Sequence, residues 1–197
     1  MKEVKVTAKD RILSQCTREE LFAEILNKTF EPGTWDDSAA ETSRRFVAYL
    51  DEFRPIEPYP FKWTVFETQV NQMVVVKDIE LVSQCMHHLL PFWGVAHVAY
   101  LPNKLMIGAS KIPRLVDFWS RRPQTQEYIT SQVATDLKHH LEAQGVAVVV
   151  EARHTCMACR GVRKGNAKMV TSEMRGTFLS NPAAKAEFFA MIGLGGV

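Results

Sequence analysis

Residues 73–101 read MVVVKDIELVSQCMHHLLPFWGVAHVAYL, and within them the apolar pattern of the chain changes from helical to extended. Met73–Leu81 (MVVVKDIEL) and Gly94–Leu101 (GVAHVAYL) are rich in β-branched and aromatic residues and partly alternate, which predicts two strands. Between them stands Cys85-Met86-His87-His88, a run of potential metal ligands carried on the connection. Cys85 and His88 are at i, i+3, close enough for a thiolate and an imidazole to converge on one cation.

Downstream, Pro102-Asn103 is a turn and Lys104–Ile107 a short third strand. Ser110–Arg122 and Gln124–Gln144 read as helices with Pro123 between them. In the second, Ile129, Val133, Leu137 and Leu141 form a stripe at helical spacing that marks the core face. Gly145 is expected at the C′ position that closes this helix. Val146–Ala152 (VAVVVEA) is a buried strand that delivers His154 and Cys156 at its far end. A strand around Lys168–Thr177 and a helix over Pro182–Ile192 follow. This order implies an α+β fold, an antiparallel sheet with helices on one face.

Upstream, the pattern is helical and then irregular. Thr17-Arg-Glu-Glu20 is a capping box, followed by Leu21, Phe22, Ile25 and Leu26 at helical spacing. Asp36, Asp37 or Ser38 can cap a second helix through about Phe53, with Phe46, Val47 and Leu50 on its apolar face. The 54–63 segment, RPIEPYPFKW, holds three prolines in six positions and cannot stay helical. The expected organisation is an N-terminal helical segment and connector over 1–70 and a main domain over 71–197.

With 197 residues and 46% hydrophobic content the chain can bury a sizeable core. A formal charge of +2 argues against a bulk nucleic-acid binder, and no run approaches the length of a membrane span. Neither nucleic acid nor membrane is therefore an expected partner. Four cysteines do not make a disulfide framework, so a reduced, cytoplasmic location is expected.

Cys156 can add a third ligand to Cys85 and His88. Two sulfurs and one nitrogen suit zinc, and three protein ligands leave its fourth tetrahedral position for water. His87 and His154 lie beside these ligands, and imidazoles next to an acidified water are parts of a hydrolase. A second arrangement stays open: Cys156-x-x-Cys159 with Cys85-x-x-His88 would make a closed Cys₃His structural site. His97, mid-strand, is expected to be packed. His139 and His140, near a helix C-terminus, are expected to face solvent or the helix dipole. Met86, Trp93 and Trp119 are expected to pack.

Three segments carry a family resemblance: VVKDIELVSQCMHHLLPFWGVAHVAYLP, IGASKIPRLVDFWSRRPQTQEYIT and GVAVVVEARHTCMACRGVRK. In order and spacing they resemble zinc-dependent GTP cyclohydrolase I over roughly Met73–Ile192. Upstream only ETSRRFVAYL is similar to that family's ETPKRV-type helix. The resemblance implies the tunnelling fold, in which sheets of neighbouring subunits join into a barrel and two pentamers stack as a decamer. It implies hydrolysis of GTP to 7,8-dihydroneopterin triphosphate with release of formate, at sites formed on subunit boundaries.

It also implies Zn²⁺ on Cys85, His88 and Cys156, and catalytic roles for His87 and His154. Gln126 and Glu127 match the purine-recognising pair, while Ser110, Lys111, Arg114 and Arg160 match residues that bind the triphosphate. The chain departs from the pattern at Met86, where the family usually has Glu. The alternatives are a divergent tunnelling-fold protein binding a purine or pterin, and a catalytically silent zinc scaffold for a nucleotide or a partner protein.

Overall fold

The computed structural model describes residues 15–30 and 39–194, and the chain divides into two compact units, Met1–Glu52 and Phe53–Val197. In the first, α1 (Arg18–Thr29) starts from the expected capping box. The Glu20 N–H donates to Thr17 Oγ1 at 3.1 Å and the Thr17 N–H to Glu20 Oε2 at 2.7 Å. The second helix, α2 (Ala39–Asp51), packs on α1 through Phe22 and Phe46, whose rings stack at 4.1 Å. The caps expected for it at Asp36, Asp37 or Ser38 lie outside the described residues.

The second unit is built on a sheet of strand order β5-β2-β3-β6-β7, comprising β2 (Val74–Cys85), β3 (Pro91–Leu101), β5 (Pro123–Gln124), β6 (Gly145–His154) and β7 (Met169–Gly176). All neighbours are antiparallel except β5, which runs parallel to the end of β2 with Cys85 opposite Gln124. Two short strands, β1 (Val65–Glu67) and β4 (Leu105–Ile107), form a separate pair. The strands run further than their apolar cores suggest: β2 ends on Cys85 and β6 on His154.

One face of the sheet is covered by α3 (Lys111–Ser120) and α4 (Gln126–Leu141). Ile112, Leu115, Val116 and the predicted stripe Ile129, Val133, Leu137 and Leu141 meet Leu81, Phe92, Ala96, Val98, Val146, Val148 and Val150. Burying each such side chain is worth about 1.5–3 kcal/mol. The alternate residues Ala99, Ala147 and Val149 point the other way, and at that end a second cluster forms with Phe178, Phe188 and Ile192. These come from and follow α6 (Thr177–Ser180) and α7 (Pro182–Met191). Helices thus cover one face and also part of the second.

Three local expectations are corrected. Gly145 is not a helix cap: α4 ends through Glu142 in the left-handed region (φ 47°), and Gly145 is the first residue of β6. A side chain at Gly145 would come within 3.0 Å of the Thr177 nitrogen. Met86 and Trp93 do not pack within the chain but are 54% and 47% exposed. His139 is exposed, but His140, in the same last turn of α4, is only half exposed; it stacks on Trp63 at 3.9 Å, and burial lowers its pKa.

That stacking belongs to a seam that ties the proline-rich connector to the helices. Tyr59 Oη and Trp119 Nε1 both donate to Asp136 Oδ2 at 2.5 Å, and Tyr59, Phe61 and Trp63 pack on the core. No helix among the described residues is long and apolar enough to cross a membrane.

His97 is packed as expected, and it has a definite task. The register of β2 on β3 slips between Val76 and Ile79, and Asp78 sits there at φ 57°. The Asp78 N–H donates to His97 Nδ1 at 3.2 Å, so a neutral imidazole supplies the acceptor that the bulge has lost. Burial lowers the pKa of His97. A histidine whose folded pKa lies below its unfolded value of about 6.5 takes up its proton first in the unfolded chain. Stability is therefore full above pH ~6.5 and falls as pH drops through that value toward the folded pKa. His140 has the same sign. Thermal melts against pH should decline below about 6.5, and His97→Gln, which keeps an acceptor but does not titrate, should decline less steeply. Identical slopes would remove His97 from this role.

Candidate functional site

The connection between β2 and β3 is a tight turn closed by its own backbone. Leu89 N–H donates to Cys85 O at 2.8 Å, Cys85 N–H to Leu90 O at 2.9 Å, and His88 N–H to Cys85 O at 3.3 Å. Leu89 takes φ 53°, and Gln84 Nε2 donates to Leu89 O at 3.2 Å. The turn folds His88 back over Cys85, so that His88 Nδ1 stands 3.8 Å from Cys85 Sγ. His87 Nδ1 lies at the same distance from that sulfur, 3.8 Å.

The third member of the group arrives through sheet register. Phe92 pairs with His154, which brings the end of β6 beside the start of β3. A single helical turn, α5 (Thr155–Ala158), then carries Cys156 inward, and Thr155 Oγ1 donates to Pro91 O at 2.6 Å. The ligand atoms of Cys85, His88 and Cys156 all lie within 4.8 Å of one another. Tetrahedral zinc, with Zn–S about 2.3 Å and Zn–N about 2.0 Å, puts S and N roughly 3.5 Å apart, so the observed spacing fits. Burial raises the pKa of the Cys156 thiol, the nearby Cys85 raises it further, and Arg160 opposes the rise. A divalent cation reverses this penalty, because it favours both thiolates at once. Cys159 caps α5, is exposed, and falls outside this group.

His154 is buried and stacked on Phe92 at 4.3 Å, with a ring tilt of 9°. Burial lowers its pKa, and the negative charge of Glu127 works against that shift. His154 Nε2 lies 2.9 Å from Gln126 Oε1. Gln126 is almost fully buried, and its Nε2 faces Val150 O at 2.9 Å, Met169 O at 3.1 Å and Thr171 Oγ1 at 3.1 Å. Glu127, its neighbour in the first turn of α4, is exposed. Thr125 caps that turn by accepting from the Tyr128 N–H at 3.3 Å.

Of the residues expected at the site, Cys85, His88, Cys156, His87, His154, Gln126, Glu127 and Arg160 are brought to one end of the sheet. Ser110, Lys111 and Arg114 stand at the start of α3, where Arg114 lines a cleft with Phe61, Asp117 and Arg121. Sequence reasoning missed Phe92 and Thr171, which hold the ring and the amide. Only strand register could have found them, because neither residue type carries a chemical signal of its own.

A family profile described as GTP cyclohydrolase I matches residues 18–193. The chain is 54% identical over 128 residues to GTP cyclohydrolase 1 of Campylobacter jejuni, covering 65% of this chain and 67% of that protein. It is 50% identical over 161 residues to GTP cyclohydrolase 1 of Thermobifida fusca, covering 79% and 78%. Among solved structures, an archaeosine synthase QueF-like protein in its apo form aligns over 53% of this chain and 93% of that chain, with TM-score 0.44 and 15% identity. The profile spans every element that carries the thiol–imidazole group and the buried histidine, and the chain belongs to the GTP cyclohydrolase I family.

Proposed function

We propose that the chain hydrolyses GTP with zinc held by Cys85, His88 and Cys156, releases formate, and forms 7,8-dihydroneopterin triphosphate. The observation that carries this is the convergence of two thiols and an imidazole beside a buried histidine. Zinc bound there would supply an acidified water for attack on the purine C8. His154, in its dry position against Phe92, is suited to protonate the ring nitrogen N7 as the imidazole ring opens. His87, exposed on the turn, is suited to exchange a proton with the ribose oxygen. Glu127, exposed on the first turn of α4, is suited to accept from N1–H and the 2-amino group of guanine, a donor pair that adenine lacks. Arg160, with Ser110, Lys111 and Arg114, offers the triphosphate fixed cations and hydroxyl hydrogen bonds.

A homo-oligomer, two stacked pentamers in the cytoplasm, completes the proposal. Two features support it. Among the described residues β7 ends the sheet, and β2 is partnered on its outer edge only by β5, leaving strand edges for neighbouring sheets. The cleft that Arg114 lines holds none of the thiol–imidazole group, as it would if Arg114 served a neighbour's site. Purified zinc-loaded protein incubated with GTP and then oxidised should give fluorescent neopterin and formate, both dependent on zinc. Neither product from a zinc-loaded oligomer would overturn the proposal in favour of a silent zinc scaffold.

A further inference from the structure

The hydrogen bonds around Gln126 have only one consistent set of directions. Val150 O and Met169 O are backbone carbonyls and can only accept, so the edge of the amide that faces them is its NH₂. A chain of hydroxyls agrees. Thr130 Oγ1 donates to Gln126 O at 2.8 Å, which leaves Thr130 to accept from Thr171 across 2.6 Å. Thr171 has then used its own proton and can only accept from Gln126 Nε2, at 3.1 Å, so the two amide protons are shared among three acceptors. The remaining atom of the amide, Oε1, is therefore the one 2.9 Å from His154 Nε2. An amide oxygen can only accept, so His154 Nε2 is the donor and carries the proton.

We propose that Gln126 is a positioning residue that holds His154 as the Nε2–H tautomer, leaving Nδ1 as the nitrogen that exchanges a proton with the substrate. This deepens the catalytic reading above and rests on it. It takes Gln126 away from purine recognition, which its burial and its saturated amide already oppose, and leaves that task to Glu127. The amide does for the ring what a backbone carbonyl or carboxylate does for other working histidines: it fixes both the tautomer and the ring plane. Phe92, stacked on the ring face, supplies the second constraint.

Zinc-loaded protein labelled with ¹⁵N-histidine, with the ring assigned by comparison to His154→Gln, reads the tautomer in mildly alkaline buffer. The expected signature is a protonated Nε2 and a bare Nδ1; a proton on Nδ1 overturns the proposal. Gln126→Leu should lower kcat roughly 10²- to 10⁴-fold, with KM for GTP held within about threefold and zinc retained. Gln126→Glu, as the neutral acid, can donate to a carbonyl while accepting from Nε2–H, and should recover at least about tenfold of that loss. A raised KM with kcat intact would make Gln126 a purine contact and overturn the proposal. If Gln126→Leu fails to fold, the spectrum of the wild-type protein still decides. If the wild type makes neither formate nor neopterin, the catalytic reading fails, whereas the tautomer is read independently of turnover.

Discussion

Cys156→Ala should lose zinc and turnover together, whereas His154→Ala should keep zinc and lose turnover. The two residues are only two positions apart in the chain, yet the geometry suits them to different tasks. Cys156 is one of three groups whose ligand atoms lie within 4.8 Å of one another. Removing it leaves one thiol and one imidazole, too few to hold zinc against buffer. It also removes the raised-pKa thiol whose ionisation a cation would favour. His154 is outside that group and is held by Gln126 and Phe92 instead. Its loss costs a proton-transfer partner, roughly 10²- to 10⁴-fold in rate, and no ligand. Metal analysis after gel filtration, with formate release on the same samples, separates the two. Equal zinc in wild type and Cys156→Ala would remove Cys156 from the ligand set, and loss of zinc in His154→Ala would add His154 to it.

Much of this candidate site was legible in the sequence, because thiols and imidazoles are chemically distinctive and the strands that lead to them are apolar and β-branched. Cys85-x-x-His88 is a weak signal by itself and gained weight from the distant His154-x-Cys156, and VAVVVEA pointed at those two residues as lying at the end of a buried strand. What could not be read depends on tertiary register. Gln126 and Glu127 are neighbours of similar shape, and only the way α4 docks on β6 and β7 buries one and exposes the other.

Trp93 was expected to pack because it is large and apolar, but its place in β3 turns it to the sheet face left uncovered at that end. His140 lacked any signal for Trp63, its stacking partner, which comes from a connector far upstream. Gly145 looked like a helix cap because glycine usually serves there. Its actual constraint is the close passage of Thr177 and Phe178, a contact that no local pattern reports.

Gly94→Ala should be among the most destabilising single methyls that can be added to this sheet. Gly94 lies in β3 between Leu81 of β2 and Ala152 of β6. A Cβ there would stand 1.9 Å from Glu151 O and 2.6 Å from Ala152 Cα. Both are backbone atoms of a central strand, so no side chain can swing aside to relieve the clash. Relief requires β3 and β6 to part, which loosens ladder hydrogen bonds and the core beneath them. The cost should be about 3 kcal/mol or more, equivalent to a fall in melting temperature of roughly 6–12 °C for a chain of this size.

The same parting acts at the site, because Phe92 and His154 pair two residues along the ladder from Gly94 and Ala152. Turnover should therefore fall below the melting point as well. Gly165→Ala is the matched control. A Cβ at Gly165 meets nothing within 4 Å, and that change should stay within about 0.5 kcal/mol of the parent. Melts and formate release on both variants test the argument, and a Gly94→Ala protein that melts with its parent would mean that the two central strands are not packed as closely as this register requires.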